Sequence, residues 1–324
     1  LGSAEPSSPR HVLVVSIDGL RSDVLENEAM LARLPALARL LRGAHTLDAR
    51  TDPDYTVTLP NHVSMVTGRP VVGLVGHHWT DNDDPKGMKD GGTLHAHRGE
   101  YVASMFDVAH DAGVETTVVA SKTKFWLLEQ SYNWSTGEPD LAEPDHGRAK
   151  IDCFVFAERS ADVGRMAAAR LASAKDRSLS FVHFAAPDVA GHSFDWKVEP
   201  GSAYLLAIEE VDAALAALFA TIDATPALAG ATAIIVTADH GGGVPRKTHT
   251  DMTCPLNFRI PFLVWTGDRT AEDLYTLNAE RPRPGREERV ARDAARQPIR
   301  NGDAGNLALR LLGLPSIAGS RYGR

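Results

Sequence analysis

His11-Val12-Leu13-Val14-Val15-Ser16-Ile17 runs straight into Asp18-Gly19. A stretch dominated by Val, Leu and Ile, without polar alternation, predicts a strand buried on both faces, as in a parallel sheet. Asp-Gly at its carboxyl end is a common turn, but it also falls where open α/β sheets gather their ligands. Two more expected strands also run into an aspartate. Residues 179–185 lead to Pro187-Asp188, and residues 233–237 lead to Asp239-His240. Further strands are expected at 115–120 and 261–265, with helical stretches at 22–42, 99–112, 159–175, 203–224 and 303–313. Strand and helix alternate. The expected class is therefore α/β, a largely parallel central sheet with helices on both faces.

Within 22–42, Ser22 can cap and Val24, Leu25, Met30, Leu31, Leu34 and Leu37 can line a buried stripe. Pro35 should kink or split that segment. The best helix is 203–224, with Leu205, Ile208, Val211, Leu215 and Leu218 facing inward. No linker or repeat divides the chain. Residues 1–10 read as a polar, disordered leader and 11–324 as one domain, with loop insertions at about 69–99, 125–150 and 267–300. The leader has the look of a trimmed mature start, so an export signal upstream of residue 1 is expected.

With 324 residues the chain can bury a large core, and 43% apolar with 23% charged residues describes an ordinary globular protein. A formal net charge of −8 argues against dedicated nucleic-acid binding. No run of 18 apolar residues exists to span a membrane. Cys153 and Cys254 lack metal-ligand spacing and leave one disulfide or two thiols equally open. Oligomeric state leaves no trace in the sequence.

The chemistry centres on Tyr55-Thr56-Val57-Thr58-Leu59-Pro60-Asn61-His62. A threonine hydroxyl attacks only with help from a base or a metal. Asp18, Asp188, His192, Asp239, His240 and His249 sit at predicted strand ends or in loops, and three carboxylates with three imidazoles suit two divalent ions. Asp188 and His192 are four apart, so one helical turn, or a loop hinged at Gly191, would put them side by side. A helix starting near Pro60 would aim its N-terminus at a phosphate. Thr51, Thr56 and Thr67 are rival hydroxyls. His77, His78, His95 and His97 read as loop or surface histidines, and His183 as a core or supporting one.

Thr58-Leu59-Pro60-Asn61-His62 with Thr67-Gly68 resembles the nucleophile segment of the type I phosphodiesterase and nucleotide pyrophosphatase family, within the alkaline phosphatase superfamily. Ser16-Ile17-Asp18-Gly19, Asp188-Val189-Ala190-Gly191-His192, Ala238-Asp239-His240-Gly241 and His249 match in order. The resemblance spans about residues 11–250. It implies an alkaline-phosphatase-like fold and two ions, most simply Zn2+. One would be held by Asp18, Asp239 and His240 with Thr58, the other by Asp188, His192 and His249. It also implies a hydrolase of small phosphate esters acting through a phosphoryl-threonine intermediate at Thr58, in the periplasm or outside the cell.

Phosphodiester and nucleotide pyrophosphate bonds are favoured slightly. Phosphomonoester or phosphonate hydrolysis is the alternative, and an inactive binding protein of the same fold is less expected because every ligand position is filled. A sulfatase would need Cys or Ser in Cys/Ser-x-Pro-x-Arg, which neither cysteine has. A superfamily mutase would carry other insertions. The family's phosphoryl-binding Asn is matched by Asn82, at longer spacing and with His78 in place of a glycine. Lys122-Thr123-Lys124 resembles a Lys-x-Lys pair that grips phosphoryl oxygens in monoesterase and phosphonate-hydrolase relatives; otherwise the two lysines are solvated at a sheet edge. Trp79, Trp126, Tyr132 and Trp134 are candidates to stack a base, or pack beneath a loop.

Overall fold

A computed structural model of the chain describes residues 8–85, 92–132, 149–267 and 271–323. The leader up to residue 7, Trp134 and most of the 138–150 excursion lie outside the described residues, as does the side chain of Tyr132. The strands are β1 (His11–Ile17), β2 (Ala44–Arg50), β3 (Glu115–Ala120), β4 (Cys153–Phe156), β5 (Ser178–Phe184), β6 (Thr232–Thr237), β7 (Arg259–Trp265) and β8 (Glu272–Asp273). Among the described residues they form one sheet in the order β4-β3-β5-β1-β6-β7-β2-β8. The run from β4 to β6 is parallel, while β7 is antiparallel to both β6 and β2.

β1 lies between β5 and β6, with Ile17 opposite Phe184 and Ser16 opposite Thr237. That register brings the carboxyl ends of three adjacent parallel strands level. Asp18, Asp188 and Asp239 all leave from those ends, so pairing three apolar runs is itself what gathers three carboxylates.

Helices cover both faces. Ala203–Ala224 packs on Ser160–Ser173, where a Cβ at Gly164 would lie 2.8 Å from that of Ala214. Ala304–Leu311 packs against β1 and the helix Met105–Asp111. Burying a Leu or Ile such as Leu205, Ile208 or Leu215 stabilises by about 1.5–3 kcal/mol each.

Several expectations are corrected. Residues 22–42 form three short helices, Ser22–Glu26, Glu28–Leu31 and Pro35–Leu40. Pro35 begins the third, as a proline without an N–H can. The further break is at Asn27, whose side chain caps Ala29 and Met30, while Ser22 makes no cap. The helix expected at 99–112 begins only at Met105, behind a Ser104–Asp107 capping box. Residues 271–300 are more than a surface loop. Arg50 is fully buried and donates to the carbonyls of Gly285 and Glu288, at 2.6 and 2.8 Å, and buried Arg300 donates to Val290. A guanidinium's several donors can satisfy a folded loop's carbonyls at once. Cys153 and Cys254 are both unpaired thiols.

His77 and His95 are buried, not superficial. His77 Nδ1 accepts from the Trp79 N–H at 3.1 Å, and Ser64 Oγ lies 3.1 Å from Nε2. Both contacts suit a neutral ring. Burial holds His77 down to about 3, against an ordinary 6.5. The unfolded chain therefore takes up a proton that the folded chain refuses. Stability from this residue is complete above about pH 6.5 and is lost at about 1.4 kcal/mol per unit as pH falls towards 3. Urea unfolding at pH 7 and pH 5 should show a smaller acid loss in His77→Gln than in wild type; equal losses would contradict it.

Candidate metal centre and nucleophile

Ligand atoms of Asp18, Asp239 and His240 lie within 4.8 Å of one another, and so do those of Asp188, His240 and His249. All are buried, and His240 belongs to both groups. Asp188 and His192 share the helix Ala186–Phe194, with His192 Nε2 3.2 Å from Asp188 Oδ1. A helical turn, not a hinged loop, makes that pair. His192, expected as a ligand, lies outside the Asp188, His240 and His249 group and meets it through Asp188; its side chain is 40% exposed whereas those of Asp18, Asp239 and His240 are fully enclosed, so the His192 side of the cluster is the open one.

The three imidazoles are oriented alike. Nδ1 of His192, His240 and His249 is 2.7, 2.8 and 2.6 Å from the carbonyl oxygens of Lys247, Gly241 and Thr56. A carbonyl accepts only, so Nδ1 carries a proton and Nε2 is the nitrogen turned to the carboxylates, the arrangement that prepares histidine for a metal. Asp18 Oδ1, Asp188 Oδ1 and Asp239 Oδ2 are buried without a hydrogen-bond partner. Such atoms are costly unless a cation meets them. Oriented imidazoles and orphaned carboxylate oxygens fit divalent ions in both groups.

Burial opposes ionising Asp18, yet Lys122, His183 and His240 outweigh it and hold the carboxyl well below its usual range. Burial and Asp18 likewise oppose Asp188, which His192 and Lys122 bring down to about 2. Burial, with His240 beside it, holds His249 down to about 3. Ionised carboxylates and a neutral imidazole are the ligating forms.

Thr58 opens the helix Thr58–Thr67, its Oγ1 3.3 Å from His240 Nε2. The rival hydroxyls are engaged on backbone carbonyls: Thr51 on Asp52, Thr56 on His249 and Thr67 on Val63. Asn61 fixes the approach to Thr58 by donating to the carbonyls of Tyr55 and Val57 while accepting from the Asp52 N–H. Asn82 Oδ1 accepts from the Leu59 N–H at 2.9 Å, which sets this side chain at the helix N-terminus beside Thr58. His62 Nε2 is 2.7 Å from Ser16 Oγ, and His183 Nε2 is 3.1 Å from Asp18 Oδ2, so His183 supports the cluster.

The lysines are not solvated at an edge, since β3 lies inside the sheet. Lys122 Nζ is 2.6 Å from Asp18 Oδ2 and 2.7 Å from Asp188 Oδ2. Lys124 Nζ donates to the Asn82 carbonyl and Thr123 Oγ1 to Asp84. Trp79 is buried, its indole N–H on the Asp81 carbonyl, and is a packing residue. Trp126 is 52% exposed.

Trp196 carries no signal of its own in the sequence. Its buried ring has the His192, His240 and His249 rings as neighbours. A Cβ at Gly19, Gly191 or Gly242 would come within 2.6 Å of it. The available signal was the glycine beside or close to each of Asp18, His192 and His240.

Structural comparison finds the same fold at low sequence identity. A protein in the alkaline phosphatase superfamily from Vibrio parahaemolyticus is 15% identical, with a TM-score of 0.58 over 98% of this chain and 69% of its own. Murine ectonucleotide pyrophosphatase/phosphodiesterase 5 is 15% identical, with 0.59 over 94% and 95%. The C-terminal periplasmic domain of EptC from Escherichia coli, in complex with Zn, is 15% identical, with 0.57 over 96% and 84%. No curated protein sequence matches significantly. The family model for type I phosphodiesterase / nucleotide pyrophosphatase matches residues 12–253, which take in Asp18, Thr58, Asp188, His192, Asp239, His240 and His249. With that match over most of its length, an α/β sheet shared with alkaline phosphatase superfamily structures, and a buried cluster suited to metal ions, the chain belongs to the type I phosphodiesterase / nucleotide pyrophosphatase family, as a phosphoric ester hydrolase.

Proposed function

We propose that the chain hydrolyses small phosphate esters through a phosphoryl-threonine intermediate at Thr58, with two divalent ions, zinc by preference. The observation that carries the reading is Thr58 Oγ1 at a helix N-terminus, against His240, which belongs to both carboxylate-histidine groups. Asp18, Asp239 and His240, with Thr58, would hold one ion; Asp188, His192 and His249 would hold the other, with His240 near enough to serve both. Mixed nitrogen and oxygen donors suit zinc. Bound ions would supply positive charge to the entering and leaving oxygens and ease deprotonation of the hydroxyl.

The chain's own residues do the rest. The helix N-terminus draws the phosphoryl group with its dipole and the Thr58 N–H. Asn82 spends Oδ1 on Leu59 and keeps its NH2 end to donate to a phosphoryl oxygen. Lys124, which holds the Asn82 carbonyl, brings a cation to the same flank, and Lys122 has one N–H beyond the two it gives to carboxylates. Asn61 and the Asn82 contact to the Leu59 N–H hold Thr58 for in-line attack. The half-exposed His192 leaves the second group as the side where alcohol departs and water enters.

Diester or nucleotide pyrophosphate bonds are preferred slightly over monoesters. The inactive Thr-to-Ala variant of murine ectonucleotide pyrophosphatase/phosphodiesterase 5, solved with AMP, supports a nucleotide as the substrate to try first. Of the two described tryptophans proposed to stack a base, Trp79 and Trp126, only Trp126 is exposed. No helix of the described residues is long and apolar enough to cross a membrane, and the periplasmic EptC domain supports a site of action outside the cytoplasm. Rates on a phosphomonoester, a diester and a nucleotide pyrophosphate, with zinc-loaded and chelator-treated protein, test the reading. The expected order is diester and pyrophosphate at or above monoester, all lost on chelation. Full activity after chelation contradicts it.

A further inference from the structure

We propose that Lys122 is a positioning residue for the metal ligands, one ammonium that orients the carboxylates of both centres from behind. This rests on the two-metal reading above. Asp18 and Asp188 belong to different groups, yet Lys122 Nζ bridges them through Oδ2 of each. Their other oxygens, both Oδ1, are the buried atoms without partners. Asp18 Oδ1 lies 3.5 Å from His240 Nε2, and Asp188 Oδ1 lies 3.2 and 3.7 Å from Nε2 of His192 and His249. Each carboxylate thus gives one oxygen to the lysine and turns the other to the imidazoles. His183 Nε2 joins the lysine on Asp18 Oδ2.

The backbone holds the lysine there. Ser121 Oγ donates to the His183 carbonyl at 2.7 Å and accepts from the Ala185 N–H at 2.9 Å. This ties the end of β3 to the end of β5, and Lys122 is the next residue, reaching past β5 to β1. Two of the three ammonium hydrogens go to carboxylates, so the phosphoryl-gripping part implied by the Lys-x-Lys resemblance has at most one left. The cation also relieves the repulsion of two carboxylates that would otherwise face each other.

Lys122→Met removes the bridge at similar bulk, and Lys122→Gln keeps a donor without charge. Zinc competition titrations of the full chain against a chromogenic chelator should show both sites weakened, about 10–100-fold, in Lys122→Met. Lys122→Gln should fall between it and wild type, and Lys124→Met should bind like wild type. Unchanged affinity at both sites with a raised KM would make Lys122 a substrate contact and overturn the proposal. Tighter binding would mean that the ammonium competes with the ions, which overturns it equally. If neither Lys122 variant folds with zinc present, the lysine serves the fold and the proposal also fails. A wild type that binds no metal would instead overturn the two-metal reading itself.

Discussion

Thr58→Ala is expected to lower turnover of a phosphate diester by about 10⁴-fold or more, with the fold and metal content kept. The reason is local. Thr51, Thr56 and Thr67 each give their hydroxyl to a backbone carbonyl, whereas Thr58 Oγ1 faces His240 at 3.3 Å. Removing a methyl and a hydroxyl at the first helical residue leaves the helix Thr58–Thr67 its buried side chains and the Asn82 contact to Leu59. The ions and helix dipole would then bind phosphate without a nucleophile. Thr56→Ala is the comparison, because the Thr56 hydroxyl meets the His249 carbonyl and its loss should cost far less. Steady-state kinetics of both variants decide it. An active Thr58→Ala beside a dead Thr56→Ala would move the nucleophile.

The second large effect is expected from His240→Ala. His240 belongs to both ligand groups and stacks on His249 with ring centroids 3.6 Å apart. Against the cost of burial, Asp239, Asp18 and Asp188 raise its pKa to about 9, a measure of how strongly these carboxylates draw positive charge. Losing the shared imidazole should weaken metal binding at both centres and cut kcat/KM by more than about 100-fold, the upper range for removing only an outer partner of a ligand. His192→Ala, at the exposed edge, should weaken only the second centre. Loss of one ion in both variants alike would mean that His240 is not shared.

How far the site was legible depends on its geometry. Asp18, Asp188 and Asp239 stand out as candidates because each follows a strand legible in the sequence, and β1, β5 and β6 are neighbours with level ends. Thr58 was readable from its setting before Leu59-Pro60-Asn61-His62. β2, β4 and β8 were not foreseen. β2 reads Ala-His-Thr-Leu-Asp-Ala-Arg with only partial burial, and β4 and β8 are short, so none carries a strong period. Long-range partners leave no local signal either. The bridge from Lys122 to Asp18 spans 104 residues, and the reach of Arg50 into 285–288 spans more than 230. Trp196 sits between elements that meet only in three dimensions, and nothing at its own position marks it.

Two carboxylate-histidine groups would each hold an ion beside Thr58. Elemental analysis of purified wild type, Asp239→Ala and Asp188→Ala, after zinc loading and removal of free metal, tests this most directly. Close to two ions per chain are expected in wild type and about one in each variant. Two ions retained in both variants, or none in a wild type that stays active after chelation, would contradict it.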